Sequence, residues 1–275
     1  MSSCIPAWMA DIRGYILDMD GVLYRGDTVI PGVAEFLAEL DASGIAYTMA
    51  TNNSTNSQMD YVRKLERMGI TVPVESIFTS AIATATYLRS TYPEGTSIYV
   101  VGMTALREAI FGDGYFRPAE TDAQVVVSGA DFELHYSSLR TACLAIRDGA
   151  DYVATNADTT FPTEAGLIPG SGAIVAALVA ATNVKPTVVG KPSPVLVESC
   201  LTAMGLEPGQ AVMLGDRLDT DILAGRDAGT RTVMVLTGVH GHADITAFGI
   251  EPELVVPTLD DLTAYHASRR AAATA

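Results

Sequence analysis

The chain has 275 residues, enough for two domains or one large one with a sizeable core. Its formal net charge of −15 argues against nucleic acid or an anionic membrane surface as the main partner, and an anionic substrate would need local positive charge against that background. With 48% hydrophobic and 18% charged residues the composition is that of an ordinary globular protein, and the apolar run 173–181 is too short to span a bilayer.

The first apolar run, Tyr15-Ile16-Leu17, reads as a short buried strand that ends in Asp18-Met19-Asp20-Gly21. Open α/β sheets place their ligand crevice at this end of a strand. Side chains two apart share a face, so Asp18 and Asp20 can converge, and Gly21 lets the chain leave sharply. Two carboxylates this close repel unless a cation or proton sits between them. The stretch is therefore either a strand ending in an Asx turn, or a metal site with one carboxylate as nucleophile and the other as acid/base. Gly26-Asp27 then marks a turn, and Val33, Phe36, Leu37 and Leu40 follow helical spacing up to a capping Gly44. A second strand over 45–50 ends in Thr51-Asn52-Asn53-Ser54. Thr55 and Gln58 have capping-box spacing, so this polar cluster is either N-cap chemistry or an anion cradle beside a helix start.

Residues 82–183 form a module with its own alternation. Strands are expected at 97–101, 124–127 and 152–154, and helices at 104–111, 136–146 and, as a buried helix, 173–181. Between them, residues 155–161 and 169–172 read as loop, with a recognition role open to them. Gly170-Ser171-Gly172 is no dinucleotide fingerprint, because Val175 holds the third glycine position and no strand precedes it.

The first pattern resumes with a strand at 187–190, then Lys191-Pro192-Ser193-Pro194 and a helix closing at Gly205. Lys191 stands just before a helix N-terminus, an unfavourable place for a cation unless an anion is held nearby; a solvated lysine is the alternative. The strand 211–214 ends in a second acidic cluster, Asp216 to Asp221, in which Asp216 and Asp221 suit a metal and Asp219 could merely cap the next helix. A strand at 232–236 is followed by His240 and His242, read as surface residues, and the tail from 266 is expected to fray. Cys4, Cys143 and Cys200 are scattered and odd in number, and the chain start lacks a basic segment followed by an apolar run, so a cytoplasmic protein is expected.

Four strand ends thus carry Asp18/Asp20, Thr51/Asn52, Lys191 and Asp216/Asp221 in order on an alternating βα framework. With these motifs the chain resembles the haloacid dehalogenase-like (HAD) phosphatases, and within them the NagD-like, para-nitrophenyl phosphatase group. The resemblance spans nearly the whole chain. It implies an α/β fold: a Rossmann-like core with a parallel sheet, formed by 1–81 and 184–275, and an inserted class IIA α/β cap domain at 82–183. It implies a Mg²⁺-dependent phosphomonoesterase acting through an aspartyl-phosphate on a small metabolite such as a nucleoside monophosphate, sugar phosphate, glycerol phosphate or phosphoglycolate. Asp18 would be the nucleophile and Asp20 the acid/base. Mg²⁺ would be held by the Asp18 carboxylate, the Asp20 backbone carbonyl and Asp216, with Asp221 in support. Thr51, the Asn52 amide and Lys191 would hold the phosphoryl oxygens, and Asn156, Asp158 and Thr160 are the candidates for choosing the substrate. Some relatives carry a histidine in that cap loop; Thr159, Thr160 and Phe161 stand here instead, which weakens the case for pyridoxal phosphate. Cap-to-cap dimers occur in relatives, so a homodimer is compatible. A receiver-like phosphoacceptor and a catalytically idle phosphate-binding protein are the competing readings; the acidic cluster after Lys191 and the cap-sized insertion tell against the first, and the intact carboxylate set against the second.

Overall fold

The computed structural model describes residues 5–163 and 166–274; Cys4 lies outside them, while Cys143 and Cys200 are free thiols. The described chain forms two compact units, one of residues 1–51, 58–78 and 191–275, the other of residues 52–57 and 79–190. Among the described residues no helix is long and apolar enough to cross a membrane.

The first unit is built on a six-stranded sheet in the order Leu254–Val256, Arg231–Val235, Ala211–Gly215, Gly14–Asp18, Ala46–Thr51, Ile77–Thr79. Gly14–Asp18 is central and pairs in parallel with both neighbours, Leu17 opposite Leu214 on one side and Met49 on the other. A parallel strand covered on both faces needs a continuous apolar run rather than alternation. Tyr15, Ile16 and Leu17 meet that need and are fully buried. The core continues through Val33, Phe36 and Leu40 of the helix Val33–Ser43 and through Leu259 and Leu262 at the start of Asp260–Thr274. Beyond Asp18 a small antiparallel ribbon, Tyr24–Arg25 with Thr28–Val29, follows the expected turn at Gly26-Asp27.

The second unit has its own five-stranded parallel sheet in the order Thr187–Val188, Asp151–Ala154, Val125–Ser128, Ser97–Val101, Arg117–Pro118. An antiparallel hairpin, Thr160–Thr163 with Gly166–Pro169, precedes the helix Ser171–Thr182.

Three sequence readings are corrected. Residues 187–188 do not resume the first sheet: Thr187 and Val188 pair with Val153 and Ala154, so the second unit runs to 190 rather than 183. It also takes in the whole loop 52–57 and the first residues of the helix Ser80–Thr91, which the sequence reading places in the first unit by starting the second at 82. A two-residue strand carries no pattern that identifies its partner sheet. The helix Ser171–Thr182 is not buried all round; Ile174 and Leu178 face inward while Ala173, Ala176, Ala177 and Ala180 are exposed. Alanines expose too little apolar area to mark a face. Finally, the tail is not frayed, for helix Asp260–Thr274 packs on Val33–Ser43. His266 is buried with its Nε2 2.8 Å from the Tyr15 hydroxyl, and Arg270 pairs with Glu39 through two 2.9 Å bonds.

Candidate active site

Asp18 is the last residue of the central strand, with its side chain 14% exposed, so the strand end opens just where its carboxylate stands. Lys191 is almost wholly buried, and its ammonium lies 2.5 Å from Asp18 Oδ1 and 2.7 Å from Asp221 Oδ1. It also donates to the Ala50 carbonyl at 3.1 Å. Ala50 is the residue opposite Asp18 in the neighbouring strand, which places Thr51 one step further along that strand end. The solvated-lysine alternative is therefore excluded by position: Lys191 is a buried cation bridging two carboxylates. The Lys191–Pro192 peptide is cis.

Asp216 and Asp221 reach the same place from the next strand. Ala211–Gly215 ends beside Asp18, and a single π-helical turn, Leu218–Ile222, follows before the helix Leu223–Asp227. Such turns are frequent at functional sites. Here the turn brings Asp221 back so that its Oδ2 accepts the Arg217 N–H at 3.0 Å while Oδ1 meets Lys191. Asp219 does not cap the helix; it pairs with the Arg217 guanidinium at 3.2–3.3 Å. Carboxylate oxygens of Asp18, Asp216 and Asp221 all lie within 4.8 Å of one another. Asp216 Oδ2 accepts the Val239 N–H at 2.7 Å, and Asp216 Oδ1 is buried without a hydrogen-bond partner. Gly21, at φ +83°, passes so close that a Cβ there would come within 2.5 Å of Asp216 Oδ2.

These positions set the electrostatics. Burial raises the Asp18 carboxyl well above the usual carboxylate range, and the Asp221 charge adds to this, against the pull of Lys191. Burial and then Asp221 push Asp216 up to about 7. Burial alone would depress Lys191, but the charges of Asp18 and Asp221 outweigh it and hold the ammonium above its ordinary value. Three carboxylates set against one ammonium leave uncompensated negative charge in a poorly hydrated place. The all-oxygen donor set, the unpartnered Asp216 oxygen and that excess charge suit a hard divalent cation.

Asp20 stands apart from this cluster. Its backbone bridges to Tyr24, with the Gly21 N–H donating to the Tyr24 carbonyl at 2.8 Å, and its side chain is exposed. Lost hydration raises its carboxyl above the ordinary range, against the attraction of Lys64. The Asp20 carboxylate is not among the three that converge.

In the second unit the loop 52–57 is held by a separate network. The Asn52 carbonyl accepts from Ser80 Oγ at 2.6 Å and from Asn156 Nδ2 at 2.7 Å. The Asn52 amide donates to both Asp158 oxygens at 3.2–3.3 Å, and Asn156 Oδ1 accepts the Asp158 N–H at 3.1 Å. Asn156 is only 4% exposed, so its amide faces the protein rather than a ligand. Thr160 lies exposed at the start of the hairpin. Sequence reasoning missed Ser80 altogether, and it took His240 for a surface residue although His240 Nδ1 accepts the Leu218 N–H at 3.0 Å. No local signal marks either; each acts across a gap in sequence.

Comparison with known proteins agrees with this geometry. The profile of the haloacid dehalogenase-like hydrolases matches residues 15–115, and a HAD-hydrolase-like profile matches 188–262. An acid sugar phosphatase of Staphylococcus epidermidis is 36% identical over 244 residues, covering 89% of this chain and 94% of the relative. A dihydroxyacetone phosphatase of Corynebacterium glutamicum is 37% identical over 248 residues, 90% of each chain. The solved structure of NagD from Escherichia coli K-12 superposes with a TM-score of 0.85 at 33% identity, covering 90% of this chain and 97% of that one. The chain belongs to the haloacid dehalogenase-like hydrolases, as a NagD-like phosphoric monoester hydrolase.

Proposed function

We propose that the hydrolase is Mg²⁺-dependent, works through an aspartyl-phosphate on Asp18, and acts on a small phosphorylated metabolite of the sugar- or triose-phosphate kind in the cytoplasm. The observation that carries the reading is Lys191, whose buried ammonium bridges Asp18 and Asp221 beside the unpartnered oxygen of Asp216. Asp18, Asp216, Asp221 and the Asp20 backbone carbonyl would hold the cation, which when bound neutralises phosphoryl charge and orients the phosphate. The substrate class follows the two curated relatives, one a sugar phosphatase and the other a dihydroxyacetone phosphatase.

In this reading the Asp18 carboxylate attacks phosphorus, and the bond from phosphorus to the leaving oxygen breaks as the bond to Asp18 forms. Lys191 favours the ionised form of Asp18 against the effect of burial, and it would neutralise charge on the phosphoryl oxygens. Thr51 Oγ1 and the Asn52 N–H, at the adjoining strand end, supply the uncharged donors. Asp20, whose raised proton affinity suits an acid, gives its proton to the leaving oxygen. It then takes one from the water that attacks the aspartyl-phosphate, so inorganic phosphate leaves and both aspartates are restored. In this reading the second unit supplies the selectivity: Asp158 and Asn156 fix the loop that starts at Asn52, and Thr160, exposed in the hairpin, is a candidate for recognising the leaving group.

Release of inorganic phosphate from a panel of phosphomonoesters, with Mg²⁺ and with chelator, tests this. Sugar and triose phosphates should head the ranking, and chelator should abolish turnover. Full activity in chelator would refute the metal role, and a ranking headed by nucleotides would refute the substrate class.

A further inference from the structure

We propose that His240 is a positioning residue for the acidic loop: by accepting the Leu218 N–H it locks residues 216–221 against the segment 237–240 and so presents one oxygen of Asp216 to a cation. The inference rests on the metal-site reading above and concerns how that site is kept in shape.

The segment leaves the strand Arg231–Val235 and folds back over the end of the neighbouring strand, Ala211–Gly215. Its first residue, Thr237, donates from Oγ1 to the Gly21 carbonyl at 2.7 Å, tying it to the turn that follows the nucleophile. Gly238 comes next, and a Cβ there would overlap the Asp216 carboxylate, so only glycine allows the approach. The Val239 N–H then bonds Asp216 Oδ2 at 2.7 Å, and the His240 N–H bonds the Asp216 carbonyl at 3.2 Å. The Val239 side chain is 66% exposed and cannot anchor this backbone. The anchor is the next residue. His240 Nδ1 accepts from Leu218, which is fully buried, and the imidazole rests on the Phe248 ring at 4.7 Å between centroids.

The chemical consequence lies at Asp216. A carboxylate can turn either oxygen to a cation. With Oδ2 held by Val239, the oxygen left is Oδ1, which is buried and unpartnered, a costly state unless a cation meets it. Groups that orient a metal-binding carboxylate typically change metal affinity by about 10–100-fold when removed. Leu218 is the first residue of the turn that delivers Asp221, so the same bond also registers the second carboxylate.

The test is Mg²⁺ binding to the substrate-free protein by titration calorimetry, for wild type, His240→Phe, His240→Asn and Asp216→Asn. Phenylalanine keeps the ring packing and loses the acceptor; asparagine places its oxygen where Nδ1 stood. His240→Phe should weaken Mg²⁺ binding by about 10-fold or more, and His240→Asn should recover most of the loss. Raising Mg²⁺ should restore the turnover of His240→Phe. Wild-type affinity in His240→Phe, or equal losses in the phenylalanine and asparagine variants, would overturn the inference while leaving the metal site standing. Wild-type affinity in Asp216→Asn would instead overturn the metal-site reading and the inference with it.

Discussion

The buried histidine of the last helix gives a prediction whose size can be worked out. His266 is 4% exposed, and burial lowers it from 6.5 to about 4. The Glu39 charge opposes that shift and Arg269 reinforces it, while Tyr15 and Tyr265 are its aromatic neighbours. A base whose proton affinity is depressed on folding makes the unfolded chain the better proton acceptor below its ordinary value. The stabilisation is therefore whole at neutral pH and is lost as pH falls through 6.5 towards 4. At about 1.4 kcal/mol per tenfold in proton affinity, the loss comes to about 3 kcal/mol, or roughly 6–12 °C in Tm for a chain of this size. Glu39, held down to about 2 chiefly by its hydrogen bonds to Arg270, adds a further loss as pH falls through 4.5 towards 2, which wild type and variant share. His266→Gln keeps a partner near the Tyr15 hydroxyl and cannot titrate. The assay is thermal unfolding in chelator from pH 7.5 to 4, read as the difference between wild type and variant, which removes the shared carboxylates. Wild type should lose stability relative to His266→Gln across that window. Parallel curves would show that His266 is not buried as the neutral imidazole. Because Tyr15 and Asp18 share one strand, acid should also lower the activity of wild type before that of the variant.

Other outcomes follow from the same geometry. Lys191→Met leaves a cluster of buried carboxylates without its ammonium and should cost about 3–5 kcal/mol in chelator; unchanged urea unfolding would contradict the bridging role. Ca²⁺ accepts more ligands and bidentate carboxylates than Mg²⁺, so it should draw both Asp18 oxygens to itself and inhibit; competition kinetics at fixed Mg²⁺ check this. Asn156→Ala should depress kcat/KM by a similar factor for every phosphomonoester, because its amide serves the Asn52 carbonyl, whereas Thr160→Val should reorder the substrates. The reverse pattern would exchange their roles.

Much of the site was readable because its parts sit at strand ends. Asp18, Thr51 and Asp216 each follow a short apolar run, and the register of the first parallel sheet brings these ends together. Lys191 also follows an apolar run, but one that pairs in the other sheet, so its place beside Asp18 is not a matter of register. The family resemblance rests on the same positions. What could not be read depends on contacts that no local pattern encodes. Thr187-Val188 is as apolar as a strand of either sheet, and only pairing decides. The alanines of Ser171–Thr182 give the same apolar signal whether covered or bare. His266 lies in a polar, alanine-rich tail and is drawn inside by a tyrosine hydroxyl 251 positions away. His240 lies in a glycine-containing loop and reads as a surface residue in sequence, yet its ring nitrogen receives a backbone donor from the acidic turn.

The division of labour between Asp18, which ends the first strand, and Asp20, two residues beyond it, is tested by trapping the intermediate. Asp20→Asn keeps its backbone carbonyl and loses proton transfer, worth about 10²–10⁴-fold in rate. A nitrophenolate leaves with little need of a proton, but the water that completes the reaction still needs a base. Asp20→Asn is mixed with para-nitrophenyl phosphate and Mg²⁺, quenched, reduced with borohydride and mapped by mass spectrometry. The expected result is a stoichiometric burst of nitrophenol followed by slow turnover, with the reduced acyl phosphate at Asp18 and none in an Asp18→Asn, Asp20→Asn double variant. Wild-type rates on alkyl phosphates, or phosphate trapped on any other side chain, would contradict the assignment of Asp18 as nucleophile and Asp20 as acid/base.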